Sequence, residues 1–132
     1  MVLDSSALLA ILFSESKRDP FAAAIDADPV RLLSASTLVE SSIVVLARRG
    51  PDGLRDLDHL LSRAGIHVEA VDQEQAYIAR TAWERFGRGR HVAALNFGDC
   101  FAYALSYVTG EALLFAGNDF RQTDVQAHPA SG

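Results

Sequence analysis

Four acidic residues stand where short apolar runs give way to helical patterns or turns: Asp4 after Val2-Leu3, Glu40 in the first turns of a helix, Asp99 at the head of another, and Asp119 beyond the apolar run 112–115. Ile43 and Val44, three and four positions after Glu40, share its helical face, so its carboxylate is expected above an inward stripe. Carboxylates gathered at one place repel one another and either take up protons or call in a cation. A donor set of oxygens without His or Cys suits Mg²⁺ or Mn²⁺ better than Zn²⁺, and Mg²⁺ characteristically sits between carboxylates and phosphate. The chemistry that follows is metal-assisted attack on a phosphate ester. Each acid also has an ordinary structural use. Asp4 and Asp99 suit helix N-caps, Glu40 could close a Thr37-x-x-Glu40 capping box, and Asp119 suits a turn. Pattern alone leaves both readings standing, although an inward-facing Glu40 is costly unless it is paired or coordinating.

Other chemistry is poorly supported. Cys100 adjoins Asp99, but a lone Cys on a helix is usually a small buried hydrophobe. The four His, at 59, 67, 91 and 128, fall in a surface helix, a strand, a loop and the tail, so no Ser-His-Asp or Cys-His arrangement suggests itself. Gly87 and Gly89 lack the spacing and the Lys-Ser/Thr of a phosphate-binding loop. Arg85, Arg88, Arg90 and His91 form the one basic cluster close in sequence to the acids, readable as a solvated loop or as phosphate contacts. Tyr103 and Tyr107, four apart on one helix, fit core packing.

The elements that must position these residues alternate. Val2-Leu3 is the visible part of a first strand, and Asp4 caps a helix carrying Leu8, Ile11 and Leu12 on one face. A helix is expected from Pro20, a strand over 30–34, and a helix from Ser36 or Thr37 to Arg49, stopped by Gly50-Pro51. Leu54, Leu57, Leu60, Leu61 and Ala64 follow at helical spacing up to Gly65, and 66–70 alternates as a strand does. Then come a helix from Gln73 to Gly87 with Ala79, Ala82, Trp83 and Phe86 on one stripe, a loop at 87–91, and a helix from Gly98 to Gly110 with Phe101, Leu105 and Val108 inward. A strand at 112–115, a turn at 117–119, an edge strand at 124–127 and a disordered tail at 128–132 complete the chain. Such alternation implies βαβ units, hence a three-layer α/β/α sandwich around a mainly parallel sheet, as one domain over 1–127. Ligands of such sheets bind outside the carboxyl ends of the strands, which is the edge where the four acids are expected.

The whole-chain numbers agree. With 132 residues, 49% hydrophobic and 22% charged, the chain has the composition of one globular domain without a membrane span. The acid in Met1-Val2-Leu3-Asp4 and the single Cys fit a cytoplasmic protein. Twelve Lys and Arg against seventeen Asp and Glu give a net charge of −5, so nucleic acid would not be held by bulk charge and phosphate chemistry must bring in cations.

Asp4-Ser5-Ser6-Ala7-Leu8, Ser36-Thr37 with Glu40, the stretch from Leu95-Asn96-Phe97-Gly98-Asp99-Cys100 to Leu105, and Leu114-Phe115 through Gly117-Asn118-Asp119-Phe120 together resemble the PIN-domain ribonuclease toxins of VapBC toxin–antitoxin systems. The resemblance spans nearly the whole chain, and its motifs are specific as a set. It implies the PIN-domain fold and Mg²⁺- or Mn²⁺-dependent endoribonuclease activity leaving a 5′-phosphate and a 3′-hydroxyl. It also implies a metal site at Asp4, Glu40, Asp99 and Asp119, with Ser6 and Asn96 orienting carboxylates or water. Arg88 and Arg90 are the expected RNA contacts. The expected partners are RNA, a VapB-type antitoxin and a second copy of the chain, because the helix from Ser36 to Arg49 carries more apolar positions than one buried face needs. Val92, Ala94 and Ala116 depart from residues common in relatives (Pro, Gly and Lys), which touches substrate contacts and leaves the acids intact. Of the alternatives, a haloacid-dehalogenase-type phosphatase usually has a second Asp where Ser6 stands. A response-regulator receiver depends on a Lys near its last strands, and the one Lys here is Lys17. A PIN fold serving only as a protein-binding module is disfavoured by the complete acidic set.

Overall fold

The computed structural model describes residues 1–132. Four short strands, β1 (Val2–Leu3), β2 (Leu32–Ser34), β3 (His67–Glu69) and β4 (Leu113–Leu114), form one sheet in the order β3-β2-β1-β4, every neighbouring pair parallel. Parallel pairing needs crossovers, and helices supply them: α1 (Ser5–Leu12), α2 (Arg18–Ala27), α3 (Ala35–Arg63), α4 (Gln73–Phe86) and α5 (Phe97–Thr109). Alternate side chains of the central strands feed two cores. Val2, Leu113 and Phe115 face α4 and α5, whereas Leu3, Leu33 and Leu114 face α1, α2 and α3. Strand order reverses beside β1, because the chain moves outward through β2 and β3 and returns on the other side as β4. The crevice outside the carboxyl ends of β1 and β4 is therefore the ligand-binding position of this sheet type.

Most of the expected elements are present, with five differences. The second helix starts at Arg18, two residues before Pro20, which lies within its first turn. Helix α3 is capped by Ser34, whose side chain accepts from the Ser36 N–H, so Thr37 and Glu40 form no capping box. Gly50, with φ 63° and ψ −154°, breaks α3 before Pro51 where a stop was expected, and the chain resumes helix at once. The 117–119 turn runs into a 3₁₀ turn over Asp119–Gln122. Residues 124–127 make one parallel bridge, Leu113 with Ala127, instead of a strand, because Asp124 is drawn away into bonds with Arg85 and Tyr103.

The tail at 128–132, expected to lack order, is fixed to β4. The Ser131 hydroxyl donates to the Leu113 carbonyl at 2.9 Å and accepts from the Phe115 N–H at 3.1 Å, and the Gly132 N–H reaches the Phe115 carbonyl. A small hydroxyl thus satisfies backbone groups of a strand edge that would otherwise be buried unpaired.

Candidate active site

Asp4 leaves the end of β1 and caps α1. Its Oδ2 accepts from the Ser6 N–H at 3.0 Å and from the Ser6 hydroxyl at 2.6 Å. The same Ser6 oxygen accepts from the Ala116 N–H at 3.0 Å, which ties the head of α1 to the chain leaving β4. Asp4 is buried, and its other oxygen, Oδ1, has no hydrogen-bond partner. Burial raises its pKa above the ordinary carboxylate value, with the negative charge of Asp119 adding to the effect and the Ser6 and Ser5 bonds opposing it.

Glu40 projects from the first turns of α3 and is half-buried, with Oε1 buried and unpartnered. Burial raises its pKa, the Asp4 charge adds to that, and the nearby Ser5 hydroxyl partly offsets it. Its carboxylate lies against the backbone of Gly98, so closely that a Cβ at 98 would fall inside it. Asp99 closes the first turn of α5 in a reciprocal capping box: its Oδ2 accepts from the Asn96 N–H and the Asn96 side chain accepts from the Asp99 N–H, both at 2.9 Å. Burial, then the charges of Asp4, Glu40 and Asp119, push its pKa up to about 7. Asp119 is exposed at the start of the 3₁₀ turn after β4.

The topology therefore brings the four acids into one field, in which Asp4, Glu40 and Asp119 all act on Asp99. Two of the ordinary uses are realised as well, since Asp4 is an N-cap and Asp99 belongs to a cap. Those bonds occupy one oxygen of each carboxylate and leave the other available. No three acids close to the spacing of a single fully protein-built coordination shell. The fit to a divalent cation rests on Asp4 Oδ1 and Glu40 Oε1, two buried acceptors without donors, among carboxylates whose pKa values are raised by burial first and by one another's charge second.

The PIN domain family model matches residues 1–126. A ribonuclease VapC of Mycolicibacterium smegmatis is 50% identical over 127 residues, covering 96% of this chain and 98% of its own length, and ribonuclease VapC30 of Mycobacterium tuberculosis is 46% identical over 125 residues, covering 95% of each. The chain is a PIN-domain protein of the VapC ribonuclease family. Its fold matches VapC20 of Mycobacterium tuberculosis, a sarcin-ricin-loop-cleaving toxin, with a TM-score of 0.77 at 17% identity over 97% of this chain and 98% of that one. VapBC2 from Rickettsia felis, solved on a fragment of promoter DNA, matches with a TM-score of 0.75 at 12% identity over 99% and 97%.

In this VapC-family chain the other candidates settle into distinct places. Cys100 is buried, its thiol donates to the Asn96 carbonyl, and burial with the Asp99 charge pushes its pKa up to about 11, the opposite of an activated thiolate. Arg85 pairs with Asp124 at 3.1 Å and so leaves the basic cluster. Arg88 and Arg90 are exposed and pair with no carboxylate, on a loop fixed by the Arg88 N–H to the Leu95 carbonyl. Tyr103 is buried with its hydroxyl donating to Asp124, but Tyr107 is 66% exposed, and Trp83 stands at the surface of a stripe expected inward. Ile43 likewise faces solvent, because Thr37, Ser41 and Val45 supply the inward face of α3. Sequence reasoning took Gly98 only as a helix start and motif residue and Ala116 only as a departure from relatives, and missed the contact each makes. Gly98 had a signal, since glycine inside a helix costs about 1 kcal/mol and usually marks a close approach; the Ala116 N–H had none.

Proposed function

We propose that the chain is the toxin of a type II toxin–antitoxin pair and cleaves RNA phosphodiesters with Mg²⁺ or Mn²⁺ held by Asp4, Glu40, Asp99 and Asp119. The observation that carries this reading is the pair of buried, donorless oxygens, Asp4 Oδ1 and Glu40 Oε1, beside an Asp99 held near pKa 7. Bound there, the ion supplies Lewis acidity toward an attacking water and positive charge for the phosphorane and the departing oxygen. Asp4 and Asp99 would hold it with the oxygens their caps leave free, Ser6 and Asn96 fix those two carboxylates in orientation, and Glu40 and Asp119 would complete the set. Departure of the 3′-side bridging oxygen leaves a 5′-phosphate and a 3′-hydroxyl. Arg88 and Arg90 provide phosphate contacts.

A VapB-type antitoxin and a second copy of the chain are the proposed partners, in the cytoplasm. Val39, Ile43 and Leu46 form an exposed apolar stripe on α3 that supports the dimer, and no helix is long and apolar enough to cross a membrane. The test is RNA cleavage with Mg²⁺ or Mn²⁺ and with EDTA, run on wild type, Asp4→Asn and Asp99→Asn. Cleavage confined to metal-loaded wild type is expected, with both variants folded. Wild-type rates in either variant would overturn the site.

A further inference from the structure

On the other side of the first turn of α5 lies a groove that the acidic site does not use. It encloses about 380 Å³ between α4 and α5, and its walls are Ala79, Arg80, Trp83, Phe97, Cys100 and Phe101. Phe97 opens α5, is 74% exposed, and packs edge-to-face with Phe101 with ring centroids 5.0 Å apart, so its ring is braced while most of it meets solvent. Trp83 is exposed along the same wall. Arg80 is the groove's one charged side chain, lies over the Tyr77 ring at 4.8 Å and makes no ion pair. We propose that this groove receives an unpaired base of the RNA strand, stacked on Phe97, while a phosphate about three nucleotides away lies at the acids; this rests on the ribonuclease reading above.

Three observations favour a base over other occupants. Phe97 and Asp99 share one helical turn and stand on opposite sides of it. A helix with its side chains is about 10–12 Å across, close to three steps of the ~3.4 Å rise of stacked nucleotides. Next, a chain of net charge −5 cannot hold RNA by charge alone, and base–aromatic stacking contributes binding that is independent of charge and tolerant of sequence. The volume, finally, suits a ring system with one cation beside it for the attached phosphate.

The experiment is steady-state cleavage of a short unpaired RNA with Mg²⁺ by wild type, Phe97→Ala, Phe97→Leu and Phe97→Tyr. Melting temperatures and light scattering are taken on each protein. Abasic residues are then placed in turn along the RNA. Phe97→Ala and Phe97→Leu should raise KM roughly tenfold, in keeping with one lost stack, with kcat little changed, and Phe97→Tyr should restore it. One abasic position should cost wild type the same factor and cost Phe97→Ala nothing further. Trp83, the chain's one tryptophan, should be quenched by the RNA in wild type and less so in Phe97→Ala. A wild type inert toward RNA overturns the ribonuclease reading and the base site together. With an active wild type, an unchanged KM in Phe97→Ala, or Phe97→Leu equal to Phe97→Tyr, overturns the base site alone. A dimer that falls apart in Phe97→Ala while KM stays unchanged assigns the face to a second copy instead.

Discussion

At the scale of single residues, the site depends on what is missing at position 98 as much as on the carboxylates themselves. Glycine in the first turn of α5 lets the Glu40 carboxylate rest on helix backbone, in the space a Cβ would occupy. Alanine there favours the helix by about 1 kcal/mol, but it must expel the flexible end of Glu40. Gly98→Ala should therefore melt at or slightly above the wild-type temperature while metal affinity, measured by calorimetric titration, and cleavage fall roughly tenfold to a hundredfold, as for lost supports of metal ligands. Full metal affinity in that variant would remove Glu40 from the site. Cys100, two residues along the same helix, is the contrasting case. Its thiol serves the Asn96 carbonyl, so Cys100→Ala should cost about 1 kcal/mol of stability and leave cleavage unchanged. Loss of activity at an unchanged melting temperature would revive a thiol mechanism. The acids were legible in sequence because strand ends and helix heads announce themselves through apolar periodicity. The bond from Ala116 N–H to Ser6 joins residues 110 apart in sequence, and no local pattern encodes it.

Among the elements, helices α4 and α5 were the most legible, because long amphipathic periodicity and the breakers Gly87 and Gly110 bound them. The C-terminal segment beyond β4 was the least legible. There the outcome depends on partners distant in sequence: Arg85 and Tyr103 draw Asp124 off the sheet edge, and Ser131 replaces a strand's backbone bonds with one hydroxyl. Polar, short residues of that kind read as a loose tail until a buried edge claims them. The 87–91 loop poses the opposite question, since its backbone is fixed by bonds to Leu95 and Gly87 while Arg88 and Arg90 extend unpaired. If they contact phosphate, Arg88→Ala with Arg90→Ala should weaken RNA binding and reduce the slope of log affinity against log salt by about one to two, leaving metal affinity unchanged. Titrations of RNA against salt and of metal against protein measure both. An unchanged slope returns the loop to ordinary solvated surface.

For the whole molecule, the acids are a liability that the fold accepts at its switch point between β1 and β4, and that liability has a sign in pH. Asp99 is held at about 7 in the folded chain against 3.8 for the free side chain, and Asp4 and Glu40 are raised in the same direction. A raised carboxylate binds more protons folded than unfolded, so its contribution to stability is complete below about pH 4 and is lost as pH climbs through 7. Asp28 and Asp124 are shifted the other way, because the N-terminal amine and Val30 N–H hold Asp28 ionised and Tyr103 and Arg85 hold Asp124 ionised. These two lose stability as pH falls through the lowered values, so the acid end of the profile belongs to them. The metal-free melting temperature should therefore decline between about pH 4 and pH 7, and Asp99→Asn should remove part of that decline. Divalent cation should reverse the effect by binding the ionised set: at a hundred times its dissociation constant it would stabilise the folded chain by about 2.7 kcal/mol, and the gain should be larger at pH 8 than at pH 5. Thermal melts across this range, with EDTA and with Mg²⁺, decide the matter. A metal-free melting temperature that rises from pH 4 to pH 8, or a Mg²⁺ response equal at both ends and equal in Asp99→Asn, would mean that the four carboxylates do not act as one site.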